Sequence, residues 1–148
     1  MIMPRELSEL INKIHCGDCL DLMREIPDKS VDLVLTDPPY GIKRSAEYIC
    51  ANHGDSRWQD RTPKYYKNYN WDNSRPSPAA FNDILRVSKE QIFFGGNYFS
   101  DLLPPSGSWI VWDKKEKMPS LSKCELAWCS IGGHVEIFGY SWCGFRKE

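Results

Sequence analysis

Residues 31–41, VDLVLTDPPYG, constrain the fold more than any other part of the chain. The apolar, β-rich run over residues 31–35 predicts a strand that is buried on both faces of a parallel sheet. Asp37 and two prolines follow it. Because a proline removes a backbone N–H and favours an extended conformation for the residue before it, we expect a rigid turn rich in hydrogen-bond acceptors. Ligands of open α/β sheets bind just beyond the carboxyl ends of strands, so residues 37–40 are a candidate site.

The chemistry that suits this turn is methylation of an amino group whose lone pair is delocalised into a ring or a carbonyl. Such a nitrogen is a poor nucleophile. If the Asp37 carboxylate and the Pro38 carbonyl accept its two N–H groups, the nitrogen is drawn toward a tetrahedral geometry and the developing positive charge is stabilised. Tyr40 offers a flat face against which the ring can stack.

Residues 37–40 resemble the Asp-Pro-Pro-Tyr motif of the S-adenosylmethionine-dependent DNA amino-methyltransferases. Those enzymes modify adenine N6 or cytosine N4 after flipping the base out of the duplex. The preceding apolar strand and the following Gly41 make the match more specific. The resemblance implies S-adenosylmethionine as the cofactor, double-stranded DNA as the partner, and catalytic roles for Asp37, Pro38, Pro39 and Tyr40.

The chain before this motif predicts a strand-helix-strand unit. Residues 5–11 fit a short helix and residues 13–16 a short strand. Asp18 is a good N-cap for a second helix, which Pro27 ends. The strands at residues 13–16 and 31–36 would then be parallel, with a right-handed crossover.

This part of the chain extends the resemblance. Residues 14–41, IHCGDCLDLMREIPDKSVDLVLTDPPYG, look like the block that leads into the catalytic motif in the beta group of these enzymes. In that group the Gly-Asp turn lies beside the cofactor, which implies that Gly17 and Asp18 contribute to its pocket, together with Asp37. The alternative is that Asp18 only caps its helix, since one carboxylate can do either.

Helical and strand patterns alternate after residue 76. The predicted helices cover residues 77–89 and 98–103, and the predicted strands cover residues 91–94 and 108–112. Gly95-Gly96-Asn97 resembles the next strand end of the family, which encloses the reacting centre, so Asn97 is a further expected cofactor contact.

The last part of the chain is ambiguous by pattern. Residues 122–130 fit either a helix or a strand, and we expect a helix because the family has one there. Residues 135–142 predict a strand that pairs in a hairpin at the sheet edge. The predicted fold class is α/β, a partial doubly wound three-layer sandwich of the class I methyltransferase type, whose mostly parallel sheet can have an antiparallel edge.

The overall net charge of −1 gives no nucleic-acid signature, but residues 43–75 differ from the rest. They hold seven basic residues against four acidic ones, interleaved with six aromatic residues. This predicts a mobile loop that contacts phosphates and stacks on bases; the alternative is a solvated loop whose aromatics anchor it to the core. The candidate DNA contacts are Lys43, Arg44, Arg57, Arg61, Lys64 and Lys67.

Other function classes find little support. No apolar run reaches the roughly 20 residues of a membrane span and the first residues lack a signal peptide's apolar stretch, so we expect a cytoplasmic protein with reduced cysteines. Cys16 and Cys19 form a C-x-x-C pair without a second pair at zinc spacing, so no metal is expected. His134 and Glu136 match half of a zinc deaminase signature, but no P-C-x-x-C follows.

The beta group normally carries a glycine-rich cofactor turn after its catalytic half, and nothing in residues 1–148 matches it. The resemblance therefore covers nearly all of the chain, while the chain covers only part of the family's domain. We expect a single, incomplete methyltransferase domain with an incomplete cofactor pocket. The exposed sheet edge of such a domain would favour a homodimer.

The resemblance implies a site-specific DNA methyltransferase with a restriction-modification or phage role. Asp rather than Ser at the first motif position favours adenine N6 over cytosine N4. One alternative is methylation of another planar amide, as in the related glutamine methyltransferases, which usually carry Asn where Asp37 stands. Another is an impaired remnant that binds DNA or a protein partner.

Overall fold

The computed structural model describes residues 7–43, 70–115 and 122–141. The helices are α1 (Leu7–Leu10), α2 (Cys19–Met23) and α3 (Pro78–Val87), with 3-10 turns at Asn70–Asp72 and Gly96–Tyr98; the strands are β1 (Val31–Thr36), β2 (Ser88–Phe94), β3 (Trp109–Asp113), β4 (Cys124–Cys129) and β5 (Val135–Gly139). The chain divides into two compact units, residues 1–37 with 77–148 and residues 38–76. Within the described ranges, no helix is long and apolar enough to span a membrane.

The first unit is built on a mixed sheet in the order β1-β2-β4-β3-β5. β1 is parallel to β2 and β3 is parallel to β5, whereas β4 is antiparallel to both of its neighbours. Two of the four pairings are therefore parallel and two are antiparallel, and the antiparallel strand lies in the centre rather than at an edge, where it was expected. This mixed sheet with few helices is compatible with the predicted α/β class, while the doubly wound sandwich stays a prediction. The homodimer expected from an exposed sheet edge also stays a prediction.

The predicted strand over residues 31–36 and the helix after residue 76 are confirmed. Pro78 is the first helical residue of α3, where a proline's missing N–H and fixed φ suit the helix start. One side of α3 buries Ala80, Phe81 and Val87. The helix ends at Val87 and β2 begins at Ser88, slightly earlier than predicted.

The core of the first unit is a cluster of aromatic rings between α3 and the sheet. The Phe81 ring lies 5.3 Å from that of Phe93 and 5.0 Å from that of Phe99, measured between centroids. Trp128 meets Phe93 edge-on at 6.0 Å. Phe93 and Phe99 are fully buried. Offset and edge-on contacts of this kind stabilise beyond the area they bury.

Two cations join α2 to α3 by binding carbonyl groups near the ends of both helices. Arg86 donates to Met23 O at 2.8 Å and to Ile26 O at 3.0 Å. Lys29 Nζ donates to Leu85 O at 2.8 Å. Carbonyls in the last turn of a helix lack partners within the helix, so these bonds satisfy them and fix the chain just before β1.

The expectation that β1 is buried on both faces is wrong. Leu33 and Leu35 are 43% and 61% exposed. Thr36 pairs with Phe93, and paired residues share a face, so Thr36 lies on the side of the sheet where α3 packs. Leu33 and Leu35 alternate onto the opposite face, where their exposure shows incomplete cover.

Two predicted elements in the first half of the chain need correction. Residues 13–16 form no strand, and Ile14 is fully exposed, so β1 has no neighbour from this segment. The strand-helix-strand unit is therefore not present as predicted. The helix expected over residues 5–11 is seen as the four residues of α1, and residues 5 and 6 lie outside the described ranges.

Three predictions in the second half also need correction. The helix expected over residues 98–103 is replaced by the 3-10 turn Gly96–Tyr98 and by further turns in which Leu102 and Leu103 donate to Phe99 O. The segment expected to be helical over residues 122–130 is β4, which lies between β2 and β3. The expected hairpin at residues 135–142 is wrong because β5 pairs in parallel with β3. The predicted strand over residues 108–112 is confirmed as β3.

Candidate active site

The carboxyl ends of β1 and β2 lie side by side. Thr36, the last residue of β1, pairs with Phe93 of the parallel strand β2. Asp37 follows β1 directly and is exposed. Asn97, also exposed, lies in the 3-10 turn that follows β2. The structure thus brings Asp37 and Asn97 to neighbouring strand ends, where ligands of open α/β sheets bind.

Two glycines shape the turn that carries Asn97. Gly95 has φ +66°, a left-handed conformation that favours glycine, and its N–H donates to Leu126 O at 2.8 Å. A Cβ atom on Gly96 would lie 2.5 Å from the Cβ of Trp128. Since glycine has no Cβ, the backbone at Gly96 can pass close to Trp128 of β4 before the chain reaches Asn97.

Asp18 has a structural role in α2. Its Oδ1 accepts a hydrogen bond from Leu20 N at 2.8 Å and its backbone oxygen accepts one from Leu22 N at 3.0 Å. These bonds define an N-cap, as the sequence predicted. Gly17 and Asp18 are both exposed. Their contact with a cofactor stays a prediction.

The other motif residues belong to the second unit, because the boundary between the units falls between Asp37 and Pro38. Pro38, Pro39 and Tyr40 are half-buried and belong to neither a helix nor a strand. Directly after them, Gly41 N donates to the Asp72 carboxylate at 2.9 Å. Asp72 was not among the predicted site residues.

Lysines near the end of β3 have acidic partners. Lys115 Nζ lies 2.5 Å from Asp113, and this hydrogen bond lowers the pKa of the Asp113 carboxyl. Lys114 pairs with Glu125 and lies 5.4 Å from the ring centroid of Trp112, within cation–π range. Since each lysine is paired with a carboxylate, this part of the sheet edge carries little net positive charge.

Most of the candidate DNA contacts cannot be placed. Lys43 is exposed, whereas Arg44, Arg57, Arg61, Lys64 and Lys67 lie outside the described residues. The mobility of residues 43–75 and their contact with DNA therefore stay predictions.

Among the residues that the structure describes, no group of three or more His, Cys, Asp or Glu side chains could hold a metal ion. His134 and Glu136 contact each other at 2.7 Å and are exposed.

Comparison with known proteins points to the same enzyme class as the motif does. No protein-family model matches the chain. Type II methyltransferase M1.MboII of Moraxella bovis is 30% identical over 76% of this chain and 41% of its own length. This chain resembles type II methyltransferases. Two more of them match shorter parts: M.HinfI of Haemophilus influenzae is 31% identical over 34% of this chain, and M.BglII of Bacillus subtilis is 53% identical over 23% of it.

The chain spans less than half of the methyltransferase relatives that it matches, with 41% of M1.MboII, 14% of M.HinfI and 9% of M.BglII covered. These matches support the enzyme class that the motif indicates, a methyltransferase. The choice of target base and the roles of Asp37 and Tyr40 stay predictions.

Asp72 is the residue near the motif that sequence reasoning missed. It lies 31 positions after Gly41, in a stretch without regular periodicity. The only sequence signal was the glycine itself, because a glycine directly after a proline-rich turn indicates a close backbone approach or a positive φ.

Proposed function

We propose that this chain is the catalytic part of a DNA methyltransferase that transfers a methyl group from S-adenosylmethionine to the exocyclic amino group of a flipped base. The observation that carries the proposal is the similarity to a type II methyltransferase over 76% of the chain, in a sequence whose first strand is followed directly by Asp-Pro-Pro-Tyr. Adenine N6 is the proposed target, because the motif begins with Asp.

The proposed role of Asp37 is to accept one N–H of the target amine while the Pro38 carbonyl accepts the other. No backbone N–H lies between the two acceptors, since residues 38 and 39 are prolines. Holding both hydrogens frees the nitrogen lone pair from the ring. The carboxylate would also stabilise the positive charge that grows on nitrogen as the N–C bond forms and the methyl–sulfur bond breaks, with the neutral thioether as the leaving group and the proton lost to solvent afterwards.

Tyr40 is proposed to stack against the flipped base. The residue is half-buried and so is partly accessible. Stacking on an aromatic face is tolerant of base identity and contributes orientation. Base selection would then depend on the acceptors at Asp37 and Pro38 more than on the ring.

The residues present fit part of an S-adenosylmethionine site. The cofactor supplies an electrophilic methyl group on a positively charged sulfur. Asp37 and Asn97 are exposed at neighbouring strand ends, so an anion and an amide are accessible there to a polar, cationic ligand. The Oδ1 atom of Asp18 accepts the capping hydrogen bond from Leu20, which leaves less of this carboxylate for a ligand.

The test is transfer of isotope from methyl-labelled S-adenosylmethionine to duplex DNA, followed by chromatography of the hydrolysed bases. We expect label in N6-methyladenine, and an initial rate of labelling that is on the order of a hundredfold to a thousandfold lower with Asp37→Ala. Label in N4-methylcytosine would correct the target base. Incorporation that is equal in the wild type and in a folded Asp37→Ala variant, or absent from both, would overturn the proposal.

Calorimetric titration with S-adenosylmethionine tests the expected incomplete pocket separately. A dissociation constant weaker than about 1 mM agrees with an incomplete pocket, and such a ligand at millimolar concentration shifts the melting temperature little. Micromolar binding by the 148-residue chain would show that the pocket is complete.

A further inference from the structure

Asp72 connects two separate stretches of the second unit through both its side chain and its backbone. Its Oδ1 accepts a hydrogen bond from Gly41 N at 2.9 Å, and its backbone oxygen accepts one from Lys43 N at 3.0 Å. Asp72 is only 4% exposed, whereas the neighbouring Trp71 is 63% exposed. The carboxylate therefore lies inside the unit, where a hydrogen bond is shielded from competition with water.

Gly41 is shaped to fit this contact. Its φ of +72° is a left-handed conformation that other residues rarely adopt. A Cβ atom at this position would lie 2.9 Å from Arg75 N and 3.3 Å from the carbonyl carbon of Ser74. The backbone after Tyr40 thus passes so close to residues 74 and 75 that a side chain at Gly41 would force the two stretches apart.

The Gly41 hydrogen bond also constrains Tyr40. The Tyr40 carbonyl and the Gly41 N–H belong to one planar peptide group, so fixing the direction of the N–H fixes the plane. Orientation of that plane determines the ψ angle of Tyr40. A single buried acceptor therefore restricts the backbone of the residue assigned to the target base.

We propose that Asp72 is a positioning residue for the turn at residues 38–41, and that its carboxylate sets the orientation of the Tyr40–Gly41 peptide. The proposal rests on the proposed function in one respect, the assignment of Tyr40 to the target base. The hydrogen bond from Gly41 to Asp72 can be tested without any methyl transfer.

The first measurement is amide hydrogen exchange, resolved by residue, in the wild type and in Asp72→Ala and Asp72→Asn. Alanine removes the acceptor of Gly41 but keeps the backbone oxygen that serves Lys43. We expect the Gly41 amide to exchange roughly tenfold faster in Asp72→Ala, with a smaller change at Lys43. Asparagine retains a side-chain carbonyl oxygen, so Asp72→Asn should stay within about twofold of the wild type.

The second measurement is the kinetics of methyl transfer. Misplacement of a substrate-positioning group by about 1 Å can cost on the order of a hundredfold in rate. We expect Asp72→Ala to lower kcat by roughly tenfold to a hundredfold with little change in the KM for S-adenosylmethionine, and Asp72→Asn to restore most of it. The matched control is Asp32→Ala, which removes an exposed carboxylate of β1 and should leave kcat unchanged.

Several outcomes would overturn the proposal. They are an unchanged Gly41 exchange rate in folded Asp72→Ala, an Asp72→Asn variant as impaired as Asp72→Ala, and an unprotected Gly41 amide in the wild type. The last needs no variant at all, so the proposal stays testable if Asp72→Ala fails to fold. A wild type that protects Gly41 but transfers no methyl group would overturn the proposed function and the role of Tyr40, while supporting the contact itself.

Discussion

The aromatic core of the first unit and the turn at residues 37–41 are held in place by different interactions. The side chains of Phe81, Phe93 and Phe99 pack ring against ring, and these residues are each 1% exposed or less. The turn begins with the exposed Asp37 and is anchored by a hydrogen bond between Gly41 and Asp72. The difference implies that stability depends mainly on the core, while the proposed chemistry depends on a turn whose first residue is accessible.

The largest expected effect is on the core side of this comparison. Phe93→Ala should lower the free energy of unfolding by about 3–5 kcal/mol, because it removes buried ring contacts and leaves a cavity. Phe138 of β5, which is 44% exposed, is the matched control, and Phe138→Ala should cost about 1 kcal/mol or less. Urea unfolding of both variants measures the difference, and equal losses would show that the core is not where stability is concentrated.

Substitution of Asp37 should have the opposite result. Asp37→Ala should lower the rate of methyl transfer by on the order of a hundredfold to a thousandfold, the loss seen when a charge-stabilising group is removed from an active site. Its melting temperature should stay close to that of the wild type, because the side chain is exposed. Single-turnover kinetics and thermal unfolding on the same samples measure both effects. Near-normal transfer by the folded variant would contradict the role of Asp37.

Two substitutions of Tyr40 distinguish stacking by its ring from hydrogen bonding by its hydroxyl group. Tyr40→Ala should weaken binding of a flipped base by roughly 1–3 kcal/mol, the range for an aromatic ring under a single base. Tyr40→Phe keeps the ring and should be close to the wild type. Titration with duplex DNA that contains a mismatch at the target base measures both affinities. If the two variants lose equally, the hydroxyl rather than the ring has the functional role.

The smallest effect is expected at an exposed ion pair of β1. The hydrogen bond from Lys89, helped by its charge, lowers the pKa of Asp32 below its ordinary value of 3.8. Since the folded-state pKa is the lower one, the stabilisation is present above pH 3.8 and is lost as the pH falls through the folded-state value. Asp32→Asn should therefore be slightly less stable than the wild type at pH 7 and equal to it in strong acid. A difference in urea midpoint that persists at low pH would contradict this explanation.

Local sequence signals were sufficient where one segment determines its own structure. Pro78 predicted the start of α3. The apolar residues before Asp37 predicted the length and the end of β1. The N-cap at Asp18 followed from the side chain of a single residue. In each case the deciding interactions lie within a few positions of one another.

Sequence signals failed where contacts with residues far away in the chain determine the local structure. β4 fits a helix or a strand by pattern, and only its pairing with β2 and β3 selects the strand. The exposure of Leu35 depends on which face of the sheet α3 covers, which residues 31–36 do not encode. The contact between Gly41 and Asp72 joins positions 31 residues apart, so no local pattern predicts it.

The contacts of Asp72 with Gly41 and Lys43 have a consequence for how this chain can vary. They hold Gly41 and Lys43 against Asp72, so hydrogen bonds outside residues 44–69 join the two ends of that segment. For a flexible connection, each doubling of length costs only about 0.6 kcal/mol in closure entropy. We therefore expect the junction to accept grafted segments of other lengths and charges, which would let the proposed DNA contacts diversify while the turn at residues 38–41 keeps its backbone.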